Sequence, residues 1–297
     1  MQFTIRLFAL LALLFAAAPV FSQEVQIPTD TTQLSSVETK DGNEFIGYIR
    51  SIESDVIVVS TENFGEVRIR RQNIKSIRPL EKGQIVAGEY WPYNPHATRY
   101  FFGPNGYGLR KGEGYYQNTW VFFNQVSYGI SDNFSMGLGI IPLFLFAGAP
   151  TPVWITPKVS LPIKRDKINL GLGGLFGTVL GNEGSAFGIA YGQATFGSRD
   201  RNINVGLGYG YAGESWANTP TISVSGVYRV GKKFALMTEN YMISAGEENY
   251  VLMSAGGRFI GKKIAVDAGL VLPTQTGGEF FAIPWLGITA PFGKIGG

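Results

Sequence analysis

From Tyr115 to Phe292 tight turns and longer links follow one another without a break, a rhythm that few folds accept. The tight turns are Ser131-Asp-Asn133, Lys164-Arg-Asp-Lys167, Arg199-Asp-Arg201, Gly231-Lys-Lys233 and Gly261-Lys-Lys263. Between them fall Ala147 to Pro152, Gly181 to Ser185, Gly213 to Pro220, Ala245 to Asn249 and Pro273 to Glu279. The intervening segments alternate apolar with small or polar residues. In Phe134-Ser-Met-Gly-Leu-Gly-Ile140 the residues Phe134, Met136, Leu138 and Ile140 share one face, and Ser135, Gly137 and Gly139 the other. Ile168-Asn-Leu-Gly-Leu172 and Ile203-Asn-Val-Gly-Leu-Gly-Tyr-Gly-Tyr211 repeat the arrangement. Strands with lipid on one face and a lumen on the other read this way, and short turns at one end with longer loops at the other mark up-and-down membrane barrels. A soluble sandwich would bury its apolar faces against each other and has no use for so many glycines opposite them.

Parity sets the strand number. Eleven strands fit between Tyr115 and Phe292, and the first runs into a tight turn, so an ascending strand must precede it. Arg99 to Gly108, joined through Leu109 to Gly114, is the candidate, which makes twelve. Ten follows if the Arg99 segment and one other lie outside the wall. The expected fold is all-β: an antiparallel up-and-down transmembrane β-barrel over residues 99–293, preceded by a small five-stranded β-barrel. Trp120, Tyr128, Trp154, Tyr209, Tyr211, Tyr228, Tyr250 and Trp285 fall near the expected strand ends, where amphipathic rings favour the lipid boundary.

The start of the chain reads as a secretory signal peptide over residues 1–22: Arg6, an apolar run from Leu7 to Phe15, then small residues up to a cut after Ser22. Residues 23–35 read as a flexible lead. Only five of the 40 glycines lie in residues 1–90, so a domain boundary falls near Glu89. Residues 86–98, with Tyr90-Trp-Pro-Tyr-Asn-Pro95, read as a linker. No run after the signal is long and apolar enough for a spanning helix, so any membrane crossing is by strands.

Within residues 36–85, short alternating bursts (Glu44 to Arg50, Val56 to Thr61, Glu66 to Arg70, Ile74 to Ile77) are parted by the turn formers Asp41-Gly42, Glu53-Ser-Asp55 and Asn63-Phe-Gly65. Asp41-Gly-Asn-Glu-Phe-Ile-Gly47 followed by Ile69-Arg-Arg-Gln-Asn-Ile-Lys-Ser-Ile77 resembles the two motifs of the Sm-like barrel. In that family the matching loops bind RNA through an asparagine and an arginine-glycine pair. Here the asparagine is absent and Arg71-Gln72 replaces the pair. A periplasmic adaptor barrel with no nucleic-acid partner is therefore expected. The order of signal, small β-domain, Tyr-rich linker and glycine-rich barrel resembles outer-membrane barrel proteins of Bacteroidota-type bacteria, which implies a bacterial outer-membrane location with the small domain in the periplasm.

Chemistry has few carriers. The single histidine, His96, offers no oriented nucleophile, and the histidine-serine motifs of outer-membrane lipases have no match. With one histidine, no cysteine and no calcium-loop spacing, no metal site is expected. Gly171-Leu-Gly-Gly174 is strand glycine, since no helix follows to cradle a phosphate. No cofactor is expected. A net charge of +3 with scattered basic residues also argues against nucleic acid.

The residues that matter sit on the polar faces. Lys158, Asn169, Asn204, Arg229, Glu239, Arg258 and Asp267 are expected to face the lumen, where buried charges must pair or be hydrated. Either Arg229 and Arg258 pair with Glu239 and Asp267 and plug a narrow barrel, or they line a water path that favours anions. Two function classes follow. The first is a non-enzymatic barrel with a structural or passive transport role, whose small domain contacts a periplasmic partner or a second copy. The second is an enzyme acting on envelope lipid or glycan. Membrane lipid is the one partner common to both; the oligomeric state is open.

Overall fold

The computed structural model describes residues 33–80, 85–86, 89–181, 186–245, 248–261, 263–274 and 281–294. The signal peptide and most of the expected flexible lead lie outside them. The chain forms two units, Met1–Lys82 and Gly83–Gly297.

The first unit is one antiparallel sheet of β1 (Leu34–Thr39), β2 (Glu44–Ile52), β3 (Val56–Thr61), β4 (Gly65–Arg70) and β5 (Ile74–Pro79), in the order β4-β3-β2-β1-β5. Alternation sends Val37, Ile49, Ile57, Val59, Ile69, Ile74 and Ile77 to a common core. The sheet bends at β2, where the register slips between Ile49 and Ser51. Gly47 lies where a Cβ would stand 2.2 Å from the Ser60 carbonyl oxygen, so only glycine lets the strands approach. Ile57→Ala is expected to cost about 2–5 kcal/mol of this unit's stability. In a thermal melt of the whole protein the small unit's transition should fall while the barrel's stays in place.

The second unit opens with a two-stranded hairpin, β6 (Ile85–Val86) and β7 (Glu89–Tyr90). The wall then runs through β8 (Glu113–Thr119), β9 (Phe123–Gly129), β10 (Phe134–Ile140), β11 (Thr151–Ile155), β12 (Lys158–Lys164), β13 (Ile168–Leu180), β14 (Phe187–Gly197) and β15 (Arg201–Ala212). After the small β16 (Ser215–Trp216), which pairs antiparallel with the end of β15, it continues with β17 (Thr221–Gly231), β18 (Phe234–Ala245), β19 (Glu248–Ile260), β20 (Ala265–Pro273) and β21 (Ile283–Gly293). β21 pairs with β8 and closes the cylinder.

β11 and β12 are one wall position interrupted at Thr156-Pro157, because proline has no N–H for the ladder. Thr156 keeps the wall continuous by exchanging backbone bonds with Gly137 at 2.9 and 3.1 Å. Counted this way, twelve antiparallel strands form a closed transmembrane barrel. Leu138, Leu172, Ile203, Leu236 and Phe259 are half or more exposed on the outer face, while Thr195, Asn204, Asp267 and Thr289 on the inner face are buried. An apolar belt outside and polar groups inside is the distribution that lipid requires.

The twelve strands are not the twelve expected. The stretch from Tyr115 to Ile130 is a hairpin, β8 and β9, and Arg99 to Gly108 is not part of the wall. The hairpin turn is Trp120-Val-Phe122, with Trp120 at φ 50° and Val121 at φ 67°. A turn without glycine, asparagine or proline gives no compositional sign, and left-handed backbone at a valine is costly. The ring of Trp120 offsets that cost: its Nε1 donates to the Pro284 carbonyl at 2.7 Å and it packs on Trp285 with centroids 4.7 Å apart.

Candidate functional site

Arg99 to Gly108 fails as a wall strand because neighbours that would point to opposite faces are buried together, and the exposed Phe102 lines the internal cavity. Tyr100, Phe101, Asn105, Tyr107 and Leu109 are all nearly inaccessible, whereas a wall strand must show one face to lipid. The expected linker is packed too: Trp91, Asn94, His96, Ala97 and Thr98 are buried. The segment from Trp91 to Lys111 therefore sits inside the barrel as a stopper. It folds on itself at Arg99 and Pro104, which form an isolated bridge. The Tyr100 N–H donates to the Gly103 carbonyl at 2.9 Å, and the Asn105 N–H to the Thr98 carbonyl at 3.1 Å.

The wall holds this segment chiefly by its backbone. Arg258 and Asp267 face each other in register across β19 and β20. The Arg258 guanidinium donates to Asp267 from Nε at 2.6 Å and from Nη2 at 3.0 Å. Its remaining N–H groups reach the stopper's carbonyls: His96 at 2.5 Å, Arg99 at 3.2 Å and Tyr100 at 2.6 Å. Asp267 also accepts from Nη1 of the stopper's Arg99 at 2.8 Å. Arg99 also donates to the Tyr100 and Phe101 carbonyls and to Thr289, while its Nε has no partner among the described residues. One carboxylate thus serves two guanidiniums, all three side chains at most 2% exposed. Such a cluster persists only when nearly every donor and acceptor is engaged.

Glu239, on β18, takes the opposite role. Its carboxylate accepts the stopper N–H groups of Phe102 at 2.9 Å and Gly103 at 2.7 Å, as well as the Tyr241 hydroxyl. Lys158 donates to the Tyr107 carbonyl. Thr195 accepts the Gly106 N–H at 2.7 Å and donates to Asn204 at 2.6 Å. Gly106 lies so close to β13 that a Cβ would stand 2.4 Å from the Asn169 carbonyl oxygen. Arg229 sits lower, at the tight-turn end. It donates to Asp200 at 3.0 Å and to the Pro92 carbonyl at 2.9 Å, and its guanidinium lies 5.2 Å from the centroid of the Trp91 ring.

All seven residues expected in the lumen are buried there. Their partners differ from those a reading of the wall alone suggests. Arg258 does pair with Asp267, but Arg229 pairs with Asp200, and Glu239 binds backbone N–H groups. Both guanidiniums considered for an anion path are about 1% exposed and engaged, so neither lines open water. His96 is fully buried and neither ring nitrogen has a hydrogen-bond partner among the described residues, so no hydroxyl is aligned with it for nucleophilic attack.

Towards the long-loop end the lumen remains open as a cavity of about 580 Å³. One wall is aromatic. Ring centroids step from Phe101 to Trp285 at 5.5 Å, Trp285 to Trp120 at 4.7 Å, Trp120 to Phe123 at 6.2 Å and Phe123 to Trp154 at 6.3 Å. Tyr128, Tyr209, Tyr228 and Tyr250 are exposed on the outer face as a boundary girdle should be. The three tryptophans expected with them instead line the cavity. Arg99, Thr195, Asp200 and this aromatic wall had no signal in the sequence beyond residue type.

No protein-family model matches the chain, and no curated protein matches it. Solved structures give remote likenesses. The chain is 7% identical to a KdgM porin, covering 61% of this chain and 98% of that one at a TM-score of 0.45. It is 10% identical to the outer membrane protein Omp33 of Acinetobacter baumannii, over 62% and 96%, at 0.36. A loop-deletion mutant of OmpT, an outer membrane protein of Vibrio cholerae, is 14% identical over 88% and 96%, also at 0.36.

Proposed function

We propose that this chain is a non-enzymatic transport barrel of the bacterial outer membrane, closed at rest by its own Trp91–Lys111 segment. The observation that carries this reading is the set of inward side chains that hold one segment in the lumen, Arg258, Glu239 and Lys158 by its backbone and Asp267 by its Arg99 side chain. A barrel meant only as scaffold needs no such grip. Apolar packing would fill a lumen at least as stably, whereas polar contacts to backbone are ones that water can replace when a segment leaves.

The small sheet unit belongs, in this proposal, to the periplasm, where it contacts a partner or a second copy. What supports this is chain polarity: β8 begins at the tight-turn end, and tight turns face the periplasm in barrels of this class. The stopper begins at Trp91, so removing residues 23–90 should leave the barrel closed. In a planar bilayer both the mature protein and the form lacking residues 23–90 should insert without discrete conductance steps. A steady open channel in the mature protein would overturn the resting-closed reading.

A further inference from the structure

We propose that the cavity above the stopper binds a single-chain amphiphile ended by one carboxylate, with the head at Lys158 and Gln193 and the acyl chain along the aromatic wall. This deepens the transport reading and rests on it. The cavity of about 580 Å³ is of small-molecule size.

Several of its polar side chains are already engaged. Gln117 donates to the Phe101 carbonyl at 3.2 Å and to Thr119 at 3.3 Å. Gln125 accepts the Trp154 Nε1–H at 2.8 Å and donates to Ser127 at 3.0 Å. Glu239 is occupied by the stopper's N–H groups. A sugar needs partners for hydroxyls all round its ring, whereas the cavity-lining hydroxyls of Thr221, Ser223 and Ser225 lie along one strand, β17. What the walls offer is aromatic surface on one side and Leu175, Ile189, Ile243 and Leu252 on the other.

Among the described lining residues the buried side-chain nitrogens without a partner are Gln193 Nε2, Trp285 Nε1 and Arg99 Nε, all donors. Gln193 Nε2 is buried with no hydrogen-bond partner. The Lys158 ammonium has three donors and is seen to use one, on the Tyr107 carbonyl. Lys158 pairs in register with Gly173, and Gly173 with Tyr191, two residues before Gln193 on β14. Both side chains lean over glycines of β13: a Cβ on Gly171 would stand 3.0 Å from Gln193 Nε2, and one on Gly173 would stand 2.8 Å from the Tyr191 hydroxyl. Ammonium, amide and hydroxyl thus gather on β12 to β14 at the cavity floor. Formal charge agrees, since the charged side chains that line the cavity are Lys158 and Arg99 against Glu239. One negative charge is wanting, and a carboxylate brings one charge with two acceptors.

The test is tryptophan fluorescence of the mature protein in lipid nanodiscs titrated with ω-bromoundecanoate, whose bromine quenches rings it touches. Trp120, Trp154 and Trp285 should show a saturable component above the linear background of acid dissolved in lipid. Lys158→Gln should weaken binding at least about tenfold, as loss of a charged hydrogen bond does. Ser223→Phe, on the cavity-lining face of β17, should remove the saturable component. If Lys158→Gln fails to fold, the methyl ester of the same acid tests the same contact on the unaltered protein and should bind as weakly.

Linear quenching alone, or equal affinity for acid and ester, would overturn the proposal. Protection of the tryptophans by maltohexaose instead would overturn it in favour of a carbohydrate. Loss of binding in a barrel that stays closed sinks only the ligand class, whereas a barrel that conducts at rest sinks the transport reading beneath it.

Discussion

Asp267→Ala should turn a silent barrel into a conducting one. The substitution leaves Arg99 and Arg258 face to face, 2% and 1% exposed, with no counter-charge between them. Breaking a buried ion pair from one side typically costs about 3–5 kcal/mol. At about 1.4 kcal/mol per decade that shifts the closed-to-open balance by some two to four powers of ten. The penalty falls on stopper docking, because Arg99 belongs to the stopper and Arg258 spends three contacts on its carbonyls. The wall keeps its twelve-strand ladder. Planar-bilayer recordings should therefore show discrete steps where the unaltered protein shows none. Replacing Arg99 and Arg258 by methionine in the same chain should quieten the steps again, since an apolar set carries no unpaired charge. Steps that persist in the triple variant would mean that the cluster does not hold the stopper.

Val205→Arg should destabilise the barrel by about 2–4 kcal/mol in lipid, the cost of a cation near the bilayer midplane on the outer face of such a barrel. Val205 is 45% exposed on β15, midway between Arg201 at the tight-turn end and Tyr209 towards the loops. The Arg201 guanidinium lies 4.7 Å from the Tyr228 ring centroid, as suits the water boundary. On a water-soluble barrel the same exposed substitution would fall within about 0.5 kcal/mol. Guanidinium unfolding in phospholipid vesicles separates the two outcomes, and a shift under 1 kcal/mol would argue against immersion of this face.

The wall was legible in the sequence because its period is 2 and its turns are rich in Asp, Gly and Lys. That pattern put Lys158, Asn169, Asn204, Arg229, Glu239, Arg258 and Asp267 in the lumen, where all are buried. Parity also required a strand before the first descending one. The strand supplied was Arg99 to Gly108, when the true one is Glu113–Thr119, because the turn at Trp120-Val-Phe122 carries no turn residues.

The stopper was illegible for a different reason. It has no period, and the wall grips its carbonyls and N–H groups, which every residue shares, so that recognition leaves little trace in side-chain identity. The inward turn of Trp120, Trp154 and Trp285 was equally hidden. Position near a strand end says how high a ring sits in the wall, not which face it takes.

The stopper and the cylinder are one chain, joined where Gly112 accepts the Lys294 N–H at 2.9 Å beside the closing seam of β21 and β8. A stopper on a leash this short never dilutes. Once out of the lumen it faces its socket at an effective concentration in the range of about a millimolar, whatever the protein's abundance in the membrane. In the resting-closed barrel proposed above, opening would therefore be transient: each barrel would reseal itself in a first-order step, with no second molecule needed.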